Sequence, residues 1–367
     1  MYFVLFISII AIFLTFLSKY REYDYLFNVA FVLITFIACI HYQFGTDYDN
    51  YYDIFRELNS YKIADLTFSE HLFVEIGWAF LNIVFSNLGD PLGFISLVAL
   101  LNIIQNFIYF IFIKENVPNH LRWLAMIIYL LSANFYILNF SMMRQGLAIS
   151  LVVLSVMLIL KKKKIFSFIT IFCASLIHSS ALLFLPILIS IIIIGNFIRS
   201  KFTCVFLWLL VCFSFLASSY MNSIYVFVIS ISAFEDYQGY DDFGTTTIGI
   251  GFFINLIPYI VISFLHFYKV KIIPYNLVVM SFIVFITLIL TPVTLKVTLV
   301  GRLLYYFSVF SIVVIPNAYS IIRNNLIKNC LFLIYVFMLL VDYFKFFDPS
   351  SWSYLGYRDF NTIFEVL

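Results

Sequence analysis

Residues 139–186, NFSMMRQGLAISLVVLSVMLILKKKKIFSFITIFCASLIHSSALLFLP, predict two apolar helices joined by a turn of four lysines. Such a turn is expected on the cytoplasmic side, because basic residues are retained there. Arg144 lies 17 residues before the turn and His178 lies 14 residues after it. At about 1.5 Å per helical residue, both sit about 20 to 25 Å above the turn. The two side chains should therefore face each other near the outer leaflet, where a charged group is a candidate functional residue.

The composition predicts a polytopic membrane protein. Of 367 residues, 64% are hydrophobic and only 11% are charged, whereas a soluble domain carries about 25% charged residues. A soluble catalytic domain is therefore excluded. The five cysteines lie in apolar runs without a CxxC spacing and are expected to pack as small apolar residues. Because His178 has no second histidine or carboxylate at helical spacing, we predict no metal site, and no other cofactor is expected.

Apolar runs of about 17 residues or more predict an all-α fold with about twelve transmembrane helices. With both termini outside, every basic cluster after residue 110 falls on the cytoplasmic side. A single transmembrane domain then covers residues 1–367. Its external parts are loops at about 43–70 and 222–247 and the tail 347–367, and both loops are acidic.

Residues 71–87 do not fit this topology as a full span. If they crossed the membrane, the lysine turn would end on the wrong side. They are also the least apolar candidate and carry Glu75. We therefore expect a short or re-entrant helix here.

Two arginines are candidate ligands of a pyrophosphate group, because a guanidinium offers a planar fork of donors and stays charged. Arg302 lies 21 residues before Arg323, so one continuous helix would place it at the same outer end as Arg144. The alternative is that both arginines reach toward lipid headgroups. His178 lies among small residues and is a candidate general base or phosphate ligand, the alternative being a buried structural histidine.

Residues 45–52, GTDYDNYY, combine carboxylates with aromatic rings just outside a predicted span. Sugar sites use this combination, since aromatic faces stack on pyranose rings and carboxylates accept hydroxyl hydrogens. The alternative is an acidic turn whose tyrosines lie in the interfacial aromatic belt.

Four motifs and a tail segment resemble, in order, those of the EpsG-like branch of Wzy-type polysaccharide polymerases. They are GTDY at 45–48 with Tyr51 and Tyr52, MRQ at 143–145 with Ala148, IHSSAL at 177–182, RLLYYF at 302–307, and WSY at 352–354 with Tyr357. The resemblance covers most of the chain. It implies a GT-C-like membrane fold similar to that of Wzy and O-antigen ligase.

The resemblance also implies an activity. Members are glycosyltransferases of the bacterial inner membrane that work on its periplasmic or outer face in O-antigen, capsule or exopolysaccharide synthesis. They move a growing glycan from undecaprenyl pyrophosphate to the next lipid-linked repeat unit, without a metal or a nucleotide sugar. The implied partners are the lipid-linked donor and acceptor, membrane lipids and a chain-length regulator, with no nucleic acid.

Carried over to this sequence, the resemblance assigns roles to individual residues. Arg144 and Arg302 would hold the pyrophosphate, with a further hydrogen bond from Gln145. Either His178 or Asp47 would accept the proton, and Asp47 could instead orient the acceptor hydroxyls. The remaining candidates for contact with substrate are the tyrosines Tyr48, Tyr51 and Tyr305.

Three other functions fit parts of the pattern. A flippase or transporter of lipid-linked oligosaccharides would suit the number of spans, although transporters usually show internal repeats and helices broken near the midplane. An O-antigen ligase shares the carrier lipid and the need for arginines. An integral acyltransferase could use His178, but no other motif favours it.

Overall fold

A computed structural model describes residues 2–45, 47–59, 75–195, 197–217, 220, 259–261, 273–294, 298–347 and 361–365. The helices, in chain order, are α1 (Tyr2–Leu17), α2 (Tyr25–Cys39), α3 (Tyr48–Leu58), α4 (Ile76–Ser86), α5 (Leu92–Asn116), α6 (Arg122–Leu131), α7 (Leu138–Ser141), α8 (Met143–Leu160), α9 (Lys164–Ile177), α10 (Leu185–Ile194), α11 (Lys201–Ala217), α12 (Tyr275–Thr294), α13 (Thr298–Ser308), α14 (Ser311–Ile321) and α15 (Asn325–Phe346). Short 3-10 helices connect several of them, among them Ser179–Phe184. The predicted helical membrane protein is confirmed.

The chain forms two compact units. Met1–Pro186 and Asn324–Leu367 make the first, and Ile187–Arg323 makes the second. In the first unit, strand β1 (His41–Tyr42) pairs antiparallel with β2 (Asn361–Thr362). Residues Asn361 and Thr362 of the C-terminal tail therefore lie beside the segment that leads into α3.

Among the described residues, five helices are long and apolar enough to cross a membrane, or six if α13 and α14 form one bent span. The five are Arg21–Cys39, Leu92–Asn116, Met143–Leu160, Tyr275–Thr294 and Asn325–Phe346. Other predicted spans are apolar helices of only 10–17 residues, such as α1 and α9. The prediction of about twelve spans is therefore not supported here, because several apolar runs contain helices shorter than the runs themselves. The span predicted at 248–268 lies mostly outside the described residues.

Two predicted spans are broken, which corrects the sequence interpretation. The predicted span 121–139 ends as a helix at Leu131, and Ser132 then adopts an extended conformation. Helices α13 and α14 meet at an angle of 53°. Pro316 lies inside α14, beyond this break, and has no N–H to donate within the helix. No single continuous helix therefore joins Arg302 to Arg323. The number of residues between them does not give the position of Arg302 along a span.

The predicted external loop 43–70 begins instead with the packed helix α3. Its rings at positions 48, 51, 52 and 55 share one face, as a period of 3.6 requires. These rings pack with side chains of α4, α5, α8 and α9 in one buried apolar cluster, which includes Trp78, Phe94, Met143 and Ile177. The cluster fixes the start of α8 and the end of α9 against α3 and α4. Residues 60–74, the loop 222–247 and most of the tail lie outside the described residues.

Candidate functional site

The hairpin of α8 and α9 brings Arg144 and His178 to its end opposite the lysine turn. Arg144 is in the first turn of α8, and His178 follows the last residue of α9 in an extended conformation, with φ −151° and ψ 110°. In the part of the hairpin nearer the lysine turn, Ser155 and Ser167 hydrogen-bond each other through side chains and backbone carbonyls. These bonds fix the register of the two helices.

Glu75 joins the two side chains. It is the residue before α4, and its backbone is extended there. Arg144 donates from Nη1 to Glu75 Oε2 at 2.7 Å, and His178 Nδ1 lies 3.1 Å from Oε1. The backbone N–H of Ser179 donates to the same Oε1 at 3.1 Å, and its hydroxyl at 3.4 Å. One carboxylate thus binds side chains or backbone N–H groups from two places: the first turn of α8, and the point where α9 ends and the next 3-10 helix begins.

The three side chains are mostly shielded but still reachable from outside. Their exposed fractions are 20% for Glu75, 21% for Arg144 and 26% for His178. Glu75 lies outside the five helices of spanning length. Burial opposes ionisation of its carboxyl, but the hydrogen bond from His178 and the charge of Arg144 prevail and lower the pKa of Glu75 to about 2. The carboxylate is therefore ionised at neutral pH.

Arg144 keeps donors that the ion pair does not use. Its Cζ lies 5.4 Å from the centroid of the Tyr51 ring, which packs edge-on against Trp78. Its Nε has no hydrogen-bond partner among the residues that the structure describes. Because Nε is buried, a guanidinium whose Nη1 binds a carboxylate and which lies over a ring could offer Nη2 to a second anion.

Gly45, the first residue of the GTDY segment, lies against α7, just before the start of α8. Gly45 has φ +118°, and a Cβ added there would come within 2.2 Å of the Phe140 carbonyl oxygen. Only glycine fits this contact. Asp47 is half-buried before α3, and its carbonyl accepts the N–H of Tyr51 at 3.0 Å. Asp47 is thus one helical turn from the ring that contacts Arg144.

The other predicted site residues differ in placement. Tyr48 is fully buried against His41, with ring centroids 5.4 Å apart. Gln145 is buried in the first turn of α8. Arg302 and Tyr305 lie on α13 of the second unit, so a joint site with Arg144 stays a prediction. Thr46 and the tail residues Trp352, Tyr354 and Tyr357 are outside the described residues.

Glu75 is the functional candidate that sequence analysis missed. In the sequence, Glu75 serves only as evidence that residues 71–87 do not span the membrane. A lone carboxylate beside an apolar run is, however, itself a functional signal. Its partners Arg144 and His178 are 69 and 103 residues away in the chain. No local spacing could have identified them.

A cation site is not evident in the described part of the chain, where no group of three or more His, Cys, Asp or Glu side chains could hold a metal ion. The site instead combines an arginine, an imidazole and a carboxylate. Such groups can bind an anion and accept a proton.

Comparison with known proteins gives one clear result. No curated protein and no solved structure matches the chain. The model of the EpsG family matches residues 24–357, a range that contains every motif quoted above as well as Glu75, Arg144 and His178. The match covers nearly the whole chain, which therefore belongs to the EpsG family, a family of Wzy-like polymerases.

Proposed function

We propose that this chain is a polysaccharide polymerase of the bacterial inner membrane. It transfers a growing glycan from undecaprenyl pyrophosphate to the next lipid-linked repeat unit, on the periplasmic or outer face. Family membership supports the reaction class. The observation that carries the proposal is the meeting of Arg144 and His178 at one carboxylate.

The reaction needs two kinds of group. The bond between the anomeric carbon of the donor glycan and its pyrophosphate breaks, and a bond from that carbon to an acceptor hydroxyl oxygen forms. Negative charge develops on the departing pyrophosphate and the hydroxyl loses its proton. Cationic donors therefore stabilise the leaving group, and a base accepts the proton. Because the donor is already activated, the reaction is proposed to need neither a metal nor a nucleotide sugar.

Arg144 suits the first role, together with Arg302 and Gln145 as further ligands. His178 suits the second role, since its Nδ1 contacts Glu75 and its other nitrogen is left for a proton. Asp47 remains the second candidate base, or a group that orients acceptor hydroxyls. Tyr51, with Tyr48 and Tyr305 as further candidates, would contact the sugars or the carrier.

A topology follows from this proposal. The lysine turn would lie in the cytoplasm, which puts Arg144 and His178 at the outer end of their hairpin. The pairing of β1 with β2 supports an external tail beside the site. A GT-C-like fold, a chain-length regulator as partner and the carrier lipid as substrate belong to the same proposal.

Purified protein in detergent with a synthetic undecaprenyl-pyrophosphate oligosaccharide tests the function. We expect wild-type protein to form a ladder of longer lipid-linked glycans, and Arg144→Ala and His178→Ala to form none. Arg56→Ala is the matched control, because Arg56 also pairs with a carboxylate but is exposed.

Three results would overturn the assignment. Movement of the same lipid across proteoliposomes without any ladder would indicate a flippase. Transfer of finished glycan to a lipid A core acceptor, with no elongation, would indicate a ligase. Acyl transfer to a glycan without elongation would indicate an acyltransferase.

A further inference from the structure

The carboxylate of Glu75 is the one point at which α4, α8 and the end of α9 exchange side-chain hydrogen bonds in the described site. We propose that Glu75 is a positioning residue, which fixes the proton arrangement and orientation of His178 and the orientation of Arg144. This inference rests on the proposed polymerase function. It assigns Glu75 no contact with the substrate.

The hydrogen bonds define which imidazole nitrogen carries the proton. An ionised carboxylate can only accept hydrogen bonds, so His178 Nδ1 must donate to Oε1 across their 3.1 Å contact. In the neutral ring, Nε2 then has the free lone pair. That nitrogen is the one available to accept a proton from an acceptor hydroxyl. A carboxylate that holds an imidazole in one tautomer is a general device for such bases.

The same oxygen anchors the backbone beside His178. The N–H of Ser179 starts the 3-10 helix and has Glu75 Oε1 as its acceptor. His178 itself interrupts two helices, so neither helix holds its side chain rigidly. In the described residues its ring nitrogens contact Glu75 alone. Loss of the carboxylate would therefore leave the ring free to rotate.

Close packing of the backbone fixes the position of Glu75 relative to His178. A Cβ added to Gly77 would lie 2.7 Å from the Leu176 carbonyl oxygen, so the start of α4 touches the end of α9 directly. Only a residue without a side chain permits this approach. A larger residue at position 77 would push Glu75 away from His178 while leaving every polar group of the site intact.

The other oxygen of Glu75 orients Arg144. Their 2.7 Å contact uses Nη1 and holds the guanidinium over the Tyr51 ring. This contact leaves Nη2 for a phosphate oxygen. The contact is short and largely shielded, the conditions under which a charged hydrogen bond gives a fixed geometry.

The alternative is that the Glu75 ion pair only stabilises the fold. The pH profile of kcat/KM distinguishes this role from the positioning of His178. Among the described residues, the charged groups that face His178 from the elements packed around it are Glu75 and Arg144. Removal of the negative charge makes a protonated imidazole less favourable. In Glu75→Gln the acidic limb of the kcat/KM profile should therefore move to lower pH, and the plateau should fall about 10-fold to 100-fold.

The experiment compares wild type, Glu75→Gln, Glu75→Asp and Gly77→Val in the ladder assay between pH 5 and 9. Gly77→Val should lower the plateau and move the acidic limb in the same direction as Glu75→Gln but by less, because the charge remains at a greater distance from His178. Glu75→Asp should recover part of the rate. Asp90→Asn is the control, since this exposed carboxylate also pairs with an arginine. A Glu75→Gln enzyme with the wild-type plateau and limb would overturn the proposal.

A second measurement does not depend on the polymerase reaction. Diethyl pyrocarbonate modifies the neutral imidazole, and mass spectrometry follows its addition to His178 as pH changes. We expect the midpoint in Glu75→Gln to lie below that of wild type, and no difference would contradict the role of Glu75. If wild-type protein makes no ladder but this shift is present, the polymerase proposal fails while the positioning of His178 by Glu75 stands.

Discussion

Two carboxylate–arginine clusters lie at opposite ends of α4 in the first unit. At one end Glu75 binds Arg144 and His178, and at the other Asp90 binds Arg56 and Tyr52. Both arginines also lie over a tyrosine ring of α3, Arg144 over Tyr51 and Arg56 over Tyr52. Similar groups therefore form two clusters along α3 and α4, and the two clusters differ in their surroundings.

The two clusters differ in solvent exposure and in the segments of the chain that they connect. The side chains of Arg56 and Asp90 are 56% and 32% exposed, and Arg56 hydrogen-bonds Tyr52 one turn away on its own helix. Exposed pairs of this kind contribute little to stability. The Glu75 cluster is more shielded, joins three distant segments and includes an imidazole that can accept a proton. Burial and a titratable member, rather than the presence of an ion pair, indicate the functional cluster.

The largest effect is expected at Arg144. Arg144→Ala should reduce polymerisation about 1,000-fold or more, because a cation that stabilises developing phosphate charge is lost. Arg144→Lys should be intermediate, since a lysine keeps the charge but not the fork of donors. Rates of ladder formation measure both.

Arg56→Ala is the comparison for Arg144 and should stay within about twofold of wild type. Equal losses in Arg56→Ala and Arg144→Ala would mean that the two clusters do not differ in function. Size-exclusion profiles of all three variants show whether each remains folded.

His178→Ala should reduce the rate about 100-fold, as expected for loss of a general base. Asp47→Asn in the same assay decides between the two candidate bases. A smaller loss for Asp47→Asn would fit orientation of acceptor hydroxyls. A large loss for Asp47→Asn together with an active His178→Ala would transfer the role of base to Asp47.

The contrast between the clusters also shows what sequence can predict. The α8–α9 hairpin and the meeting of Arg144 with His178 follow from apolar length, the lysine turn and the rise per residue, all of which are local properties. Glu75 could not be placed with them, because its position depends on how α4 packs against α9. That packing includes the backbone contact of Gly77 with Leu176.

The errors have similar physical causes. Helix α3 was predicted as an acidic loop because its charges were weighed before the spacing of its aromatic rings. The breaks after Leu131 and near Phe310 were missed because hydropathy measures apolar content and not the continuity of backbone hydrogen bonds.

Two glycines near the clusters provide a stability test. Gly45→Ala near the Arg144 end should cost about 2 to 4 kcal/mol, from a left-handed backbone and a clash with the Phe140 carbonyl oxygen. Gly89→Ala beside Asp90 should cost only about 1 kcal/mol, since its φ is +80° but nothing lies within 4 Å of the added Cβ. Thermal unfolding in detergent measures the difference, and equal losses would contradict the close contact at Gly45.

The smallest effect concerns the pH dependence of stability. The pKa of Glu75 is lowered to about 2 in the folded chain, so its ionised form stabilises the fold above the ordinary glutamate pKa of about 4.3. This stabilisation is lost as pH falls from that value toward the folded pKa. The Tm difference between wild type and Glu75→Gln should therefore be full at pH 6 and shrink below about pH 4. Asp90→Asn is the control and should change Tm little at either pH, because its pair is exposed to solvent. A Tm difference for Glu75→Gln that stays constant down to pH 3 would show that the Glu75 charge does not stabilise the fold, and the distinction between the two clusters would then rest on catalysis alone.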